Sequence, residues 1–179
     1  MKITILTSIL MLAAITAKSQ VAIGKQAVTN TSVSLEFADT ENRGLILPYV
    51  IDKSSIIEEG STIFDTADHK VKYLKNGGTW VNLSEDDGTA TTIGTADLSI
   101  QGTDKIEQST AKSAIGTNGT TDTTLGILVL TDTDKAMILP KVASPHVNII
   151  NPAPGMMVYD TAKKQLAVYN GKVWSFWKP

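Results

Sequence analysis

The sequence predicts an all-β fold, built from two tandem copies of a β-meander repeat that are joined by a Thr/Gly-rich spacer and preceded by a cleaved signal peptide. Gly155–Trp177 is the clearest meander, with an apolar strand, a polar turn, a second strand, an Asn-Gly turn and a closing strand. A second copy precedes it at Gly60–Leu83. The predicted segments are a signal peptide at 1–19, repeat 1 at 20–83, a spacer at 84–112 and repeat 2 at 113–179.

The evidence for duplication is a set of motifs that recur in the same order at a nearly constant offset. The offset grows from 92 residues between Gly24 and Gly116 to 95 residues between Gly60 and Gly155. Because many matches keep one order, the chain contains an internal repeat, and such a repeat should form one structural unit per copy. Between these limits, segments 35–40 and 44–48 return as 128–133 and 136–140.

The first half of each copy carries strand signals. Val33–Phe37 alternates apolar and polar residues with a period of two, which predicts a strand with one buried face. Gly44–Pro48 is a short apolar run between polar segments and predicts a strand buried on both faces. Proline cannot donate to a β-ladder, so Pro48 and Pro140 should mark strand ends or edges. At most one helical turn is expected in Asp52–Glu58 or its proline-rich counterpart.

The meander itself follows in each copy. Thr62–Asp65 and Met157–Asp160 are predicted strands, and each is followed by a polar turn. Later in repeat 2, Asn170-Gly171 separates two further strands, 166–169 and 172–176. This pair favours the positive φ angles of a two-residue type I′ hairpin. Repeat 1 has the looser Asn76-Gly77-Gly78 at the same place.

The spacer 84–112 allows two interpretations. Its Thr, Gly and Asp content is typical of a flexible linker. However, Thr92–Thr95 and Leu98–Ile100 resemble short strands of a fibrous β segment. The sequence does not decide between a linker and an ordered β spacer.

The N-terminal segment predicts export. Lys2 precedes an uncharged, mostly apolar run, Ile3–Ile15, and Ala17-Lys18-Ser19 supplies the small residues that a signal peptidase requires. Cleavage after Ser19, which would leave Gln20 first, is favoured over cleavage after Ala17. No later apolar run approaches the ~20 residues of a membrane-spanning helix. The mature chain is therefore expected at the cell surface or outside the cell, with the periplasm as the alternative.

Composition excludes several functional classes. The formal net charge is −2, with 19% charged and 42% hydrophobic residues, which argues against a disordered chain and against a nucleic-acid binder. There is no cysteine, and the two histidines, His69 and His146, have no ligand partners at metal spacing. No catalytic, cofactor-binding or phosphate-binding motif occurs. The sequence predicts a protein that is not an enzyme, and an envelope hydrolase is the least favoured alternative.

The last hairpin is rich in aromatic residues. Trp174 recurs as Trp80 in repeat 1, so we expect a role in the core for it. Trp174 and Phe176 should share one strand face, because they are two residues apart, and Trp177 should point the other way. The predicted ligand or self-association surface is therefore Tyr169, Phe176 and Trp177.

The motif order resembles that of an exported surface repeat protein of the Bacteroidota, which is also phage tail-fibre-like. That pattern runs V-G-I-G-T, G-L-L-x-P-R, V-Y-x-T-D and Y-N-G-x-x-W. This chain matches it at Val21–Gly24, Gly44–Pro48, Pro152–Thr161 and Tyr169–Trp174, and at 35–37 between the first two. The pattern's arginine is replaced by Tyr49 and Lys141, and its glycine by Ala136 in repeat 2. The resemblance implies a β-rich architecture and a homo-oligomer, with a trimer favoured.

A shorter resemblance concerns modification. Asp-Thr-Ala at 65–67 and 160–162 and Asp-Thr-Thr at 122–124 are similar to the acceptor of Bacteroidota O-glycosylation, which would place glycans on Thr66, Thr123 and Thr161. Asp-Thr is also ordinary strand-to-turn chemistry, so both readings stay open.

Two functions therefore remain open from the sequence. The favoured one is an exported structural or adhesive β-repeat protein that self-assembles, with a glycan or a surface protein as a further partner. The alternative is a carbohydrate-binding module that uses the C-terminal aromatic residues.

Overall fold

The structure is a computed structural model that describes residues 20–85, 89, 91–99 and 111–178. The predicted signal peptide, 1–19, lies outside the described residues. Within them the protein is almost entirely β, and the short strands stack in coils that resemble a β-solenoid. The all-β prediction is confirmed.

Each repeat contains seven strands in the same order. The strands of repeat 1 are β1 Val21–Ile23, β2 Val33–Phe37, β3 Leu45–Ile46, β4 Tyr49–Val50, β5 Thr62–Asp65, β6 Lys70–Lys75 and β7 Thr79–Asn82. Those of repeat 2 are β8 Ser113–Ile115, β9 Leu128–Leu130, β10 Ala136–Ile138, β11 Lys141–Val142, β12 Met156–Asp160, β13 Gln165–Tyr169 and β14 Trp174–Trp177. One helical turn, α1 Pro145–Asn148, lies between β11 and β12.

The pairing within the two repeats is also the same. The first two strands of each repeat pair in parallel, β1 with β2 and β8 with β9. The fourth and fifth strands also pair in parallel, β4 with β5 and β11 with β12. The last three strands form an antiparallel meander in both copies. The strands pair in the same way in both copies, so the internal repeat seen in the sequence is also present in the fold.

Two strands cross between the repeats. β10 of repeat 2 pairs in parallel with β2 of repeat 1, where Met137 lies opposite Leu35. β3 of repeat 1 pairs antiparallel with β12 of repeat 2, where Leu45 lies opposite Met157. Each repeat therefore completes a sheet of the other.

The main core cluster also belongs to both repeats. Leu47, Phe64 and Val71 of repeat 1 pack with Met157 and Val168 of repeat 2. Burial of such apolar side chains is the dominant favourable term in folding, at about 1.5–3 kcal/mol for each large one. The two repeats are thus held together by a shared core as well as by backbone pairing. Repeat 2 has a second cluster of its own, formed by Val142, Ile149, Met156, Val158 and Ala167.

The first meander turn is alike in both copies. It has four residues, 66–69 in repeat 1 and 161–164 in repeat 2, and its last residue has a positive φ. The aspartate that ends the preceding strand accepts the N–H of the residue two places on, at 3.0 Å for Asp65 and 2.9 Å for Asp160. This is an Asx turn, which gives the recurrent Asp-Thr-Ala motif a structural role.

The last hairpin is confirmed, but its predicted type I′ turn is wrong. Tyr169 pairs with Trp174, so the loop has four residues rather than two. Asn170 has no positive φ; its side-chain Oδ1 accepts the N–H groups of Lys172 at 2.9 Å and Val173 at 2.8 Å. The asparagine closes the turn with its side chain, which a two-residue turn would not allow.

The Gly44–Pro48 run and the spacer differ from their predicted structures. Ile46, in the run predicted to be buried on both faces, is 50% exposed, so one face of β3 is open in the described chain. The predicted strand at Thr92–Thr95 is absent, although this segment is docked: Asn170 Nδ2 donates to Thr92 O at 2.9 Å. Ile100, the end of the second suggested strand, lies outside the described residues. Pro48 ends the β3 segment, as expected.

Candidate functional site

An aromatic cluster covers one face of the terminal hairpin. The rings of Tyr169 and Trp174 lie 5.1 Å apart, and those of Trp174 and Phe176 are stacked at 6.4 Å. His146 of α1 meets Phe176 edge-on at 5.7 Å. Burial raises the pKa of the Tyr169 hydroxyl. The structure therefore joins two predicted surface residues, Tyr169 and Phe176, through the half-buried Trp174.

Trp177 lies apart from that cluster. Its indole Nε1 donates to the carbonyl oxygen of Leu83, and the N–H of Glu85 donates to Ser175 Oγ at 3.0 Å. The closing strand β14 is thereby tied to the end of repeat 1. The indole N–H is therefore engaged, and Trp177 is 43% exposed.

The three threonines of the glycosylation motif differ in their surroundings. Thr66 is half-buried, and its hydroxyl donates to Val50 O at 3.0 Å. Thr161, its counterpart in repeat 2, and Thr123 are exposed. Asp122, before Thr123, accepts from the N–H and hydroxyl of Thr124. Two of the three sites are therefore accessible to a modifying enzyme.

Several carboxyl groups of the described chain are held in structural hydrogen bonds and ion pairs. Every carboxyl group with a resolved pKa shift has its pKa lowered. Asp132 shows the cause: the ammonium of Lys135 and then the N–H and hydroxyl of Thr117 hold its carboxylate charged. A general acid needs a raised pKa instead. In the part of the chain that the structure describes, no three His, Asp or Glu side chains are placed to bind a metal.

No helix among the described residues is long and apolar enough to cross a membrane. A shallow, open groove of about 510 Å³ lies beside Trp80 in repeat 1. It is lined by Ile51, Lys53, Ile56 and Ile57 among others. The groove is too open to enclose a small ligand, which argues against a buried binding pocket there.

Sequence reasoning missed a second kind of surface, formed by open strand edges. Leu35 of β2 is 1% exposed beneath β10, but its counterpart Leu128 in β9 is 43% exposed. Phe64 in the shared core is fully buried, whereas its counterpart Tyr159 is 37% exposed. Equivalent positions in the two repeats thus differ in burial, because the other repeat covers Leu35 and Phe64 but not Leu128 and Tyr159. Such unpaired edges and apolar patches are features of association surfaces.

The fold is that of a β-repeat protein in which strands of one repeat pair with strands of the other. Residues 114–178, which coincide with repeat 2, match the family model for a phage tail-like trimerisation region. The match covers little more than a third of the chain and supports the phage tail-fibre-like part of the resemblance. Neither the curated proteins nor the solved structures contain a match to this chain.

Proposed function

We propose that this protein is an exported, non-enzymatic structural or adhesive element that assembles into a homotrimer at the cell surface or outside the cell. The observation that carries the proposal is the similarity of repeat 2 to a trimerisation region, in a fold whose repeats already bind each other through strand edges. Export is supported by the charged and apolar N-terminal pattern followed by Ala17-Lys18-Ser19.

The assembly can be tested on the purified mature chain that begins at Gln20. Sedimentation velocity and native mass spectrometry at micromolar concentration should give three times the mass of one chain. A chain that remains a monomer across this range would contradict the proposal. Because the open edges present backbone groups and apolar side chains rather than charges, a trimer should not dissociate in high salt as an ionic complex would.

Export can be tested separately. Expression of the full chain in a Bacteroidota host, followed by mass analysis of the mature protein, should place the new N-terminus at Gln20. Surface labelling of intact cells then distinguishes the cell surface from the periplasm. The same mass spectra test glycan attachment, which would add mass to peptides containing Thr66, Thr123 or Thr161 and disappear in the Thr→Val variants.

A second candidate function is carbohydrate binding at the terminal hairpin. The stacked Trp174 and Phe176 with Tyr169 beside them form a line of rings with an exposed member, and sugar rings pack on such faces. Binding on a glycan array that is lost in Phe176→Ala or Trp177→Ala, while the melting temperature is retained, would favour it. Array binding that survives both changes would contradict it.

A further inference from the structure

One edge of β9 has no described neighbour. The equivalent edge in repeat 1 shows which strand could pair there. In repeat 1 the equivalent strand, β2, has β1 on one side and β10 on the other. In repeat 2 the β8 side of β9 is filled, with Ser113 N–H donating to Ile127 O and Thr131 N–H to Ile115 O. Because successive residues of a strand face opposite sides, the N–H and C=O of Leu128 point to the unfilled edge. No described strand pairs with it.

The strand β5 has half of an open edge. In repeat 2 the equivalent strand, β12, is covered along that side by β11 and, at Met156 and Met157, by β3. In repeat 1 β4 covers Phe64 and Asp65, and no described strand covers Thr62. Met157 is 7% exposed beneath β3, whereas Thr62, its counterpart, is partly exposed.

Among the described strands, β3 and β10 each have a neighbour on one side only. β3 uses one side to pair with β12, where Leu47 N–H donates to Gly155 O at 3.1 Å. β10 uses the opposite side to pair with β2, where Ala136 N–H donates to Ser32 O at 2.9 Å. Ala136 corresponds to Gly44, which is three residues before Leu47. Because backbone N–H groups alternate sides along a strand, the two donors point to opposite sides of equivalent strands. The side of β3 that lacks a described neighbour is therefore the side through which β10 pairs. The reverse holds for β10.

The exposed side chains follow the same rule. Phe64 and Val71 of repeat 1 are buried against Met157 and Val168 of repeat 2. Of their counterparts in repeat 2, Tyr159 is 37% exposed, and Leu166 is partly exposed although it packs at the margin of the shared core. A following repeat 1 would offer Thr62 and Tyr73 to them, at the positions of Met157 and Val168. The unpaired backbone edges and the exposed apolar side chains of repeat 2 would thus both be covered by a repeat 1 from another chain.

We propose that the interface between chains repeats the interface between the two repeats of one chain. In this arrangement β3 of one chain pairs with β9 of a second copy, and β10 of that second copy pairs with β5 of the first. The inference rests on the proposed self-assembly and identifies its contacts. The two surfaces differ from each other, so the interface is heterologous, and three chains in a closed ring satisfy every edge.

Disulfide trapping tests this arrangement, because the chain contains no cysteine of its own. From the observed pairs Met137 with Leu35 and Leu45 with Met157, the new contacts are Leu45 with Leu128 and Met137 with Thr62. Paired strand positions lie within the Cα separation that a disulfide needs. The variants Leu45→Cys/Leu128→Cys and Thr62→Cys/Met137→Cys should each give covalent dimers and trimers on oxidation.

Two matched controls use the same four positions in the other combinations. Leu45→Cys/Thr62→Cys and Leu128→Cys/Met137→Cys would cross-link if repeat 1 paired with repeat 1 of another chain, or repeat 2 with repeat 2. We expect no covalent link between chains in either variant. A trimer that is trapped by these control pairs, or by neither set, overturns the inference but leaves the trimer standing. A wild-type chain that sediments as a monomer overturns the proposed function itself. Leu35→Cys/Met137→Cys should form a disulfide within one chain.

A side-chain substitution provides an independent test. Tyr159→Ser removes the ring of a 37% exposed residue in the proposed interface, and Phe176→Ser removes the ring of a 40% exposed residue outside it. We expect the first to raise the dissociation constant of the trimer at least tenfold and the second to leave it unchanged. Equal effects of the two would contradict the inference. Circular dichroism of both variants verifies that each still folds.

Discussion

The ammonium of Lys72 lies 2.9 Å from the carboxylate of Asp65 inside repeat 1, at the position that Ala167 occupies in repeat 2. Both side chains are almost fully buried, and Lys53 supplies a second ammonium to Asp65 at 2.7 Å. In repeat 2 the equivalent carboxylate, Asp160, is satisfied by N–H groups and an amide instead. The two repeats solve the burial of one carboxylate in different ways.

Replacing Lys72 should destabilise the fold. Lys72→Ala would leave the buried carboxylate of Asp65 with one ammonium instead of two, and we expect a loss of about 1–3 kcal/mol in the free energy of unfolding, because buried charges need their partners. Chemical denaturation measures it. Arg43→Ala, which breaks the exposed pair with Glu41, is the control and should cost less than about 0.5 kcal/mol. A similar loss in both variants would contradict the assignment.

The same carboxylate makes stability depend on pH. Burial alone would raise the pKa of Asp65, but hydrogen bonds from Lys53 and Lys72 outweigh it and lower the pKa from 3.8 to about 2. A lowered folded-state pKa stabilises the protein above the unfolded value, and this stabilisation is lost as the pH falls from about 4 to about 2. The stability difference between wild type and Asp65→Asn should therefore shrink over that range, as measured by denaturation at several pH values. A constant difference would count against it.

Asn170 should be essential for the terminal turn. It is fully buried, and Asn170→Ala would leave the N–H groups of Lys172 and Val173 and the carbonyl of Thr92 without this partner. We expect a loss of about 1–3 kcal/mol, the range for one buried polar group left unsatisfied, because these three groups are only partly buried. The exposed Asn76 in the matching loop of repeat 1 provides the control, since Asn76→Ala should change little. Thermal denaturation of the two variants decides.

The docked segment 91–99 can be tested at Gly94. A Cβ on this residue would lie 1.7 Å from the carbonyl oxygen of Asn170, and a backbone atom cannot move aside as a side chain can. Gly94→Ala should displace the segment, lower stability by about 1–3 kcal/mol and speed amide exchange in 91–99. Thr95→Ala, an exposed neighbour, should do neither. Wild-type exchange in the glycine variant would refute the packing.

The duplicated meander could be predicted because its signals are local. Short strand runs such as Thr62–Asp65 and turn-forming residues such as Asn76-Gly77-Gly78 act over a few residues, so they can be read from the sequence. The turn type at Asn170 could not, because the same asparagine can either adopt a positive φ or close the turn through its side chain. The composition of the turn does not distinguish these possibilities.

The proposed association surface could not be predicted, for a different reason. β3 and β10 are two and three residues long, and any apolar sequence can supply the backbone groups that pair at their edges. The run at Gly44–Pro48 has the composition of a strand enclosed on both sides, and in one chain it is enclosed on one. Tyr159 differs from its buried counterpart Phe64 in the exposure that the fold gives it. That comparison needs three-dimensional burial.

The crossing of β10 onto β2 also sets the order in which the molecule can be completed. During synthesis Val33–Phe37 emerges long before Ala136–Ile138. The edge of β2 that pairs with β10 therefore stays uncovered until most of the chain has been made. Contacts between such distant segments slow folding, because a long loop must close first. A nascent or truncated chain that stops before Ala136 would expose an edge that invites aggregation. Folding of this protein should therefore finish after synthesis, once the far end of the chain has arrived.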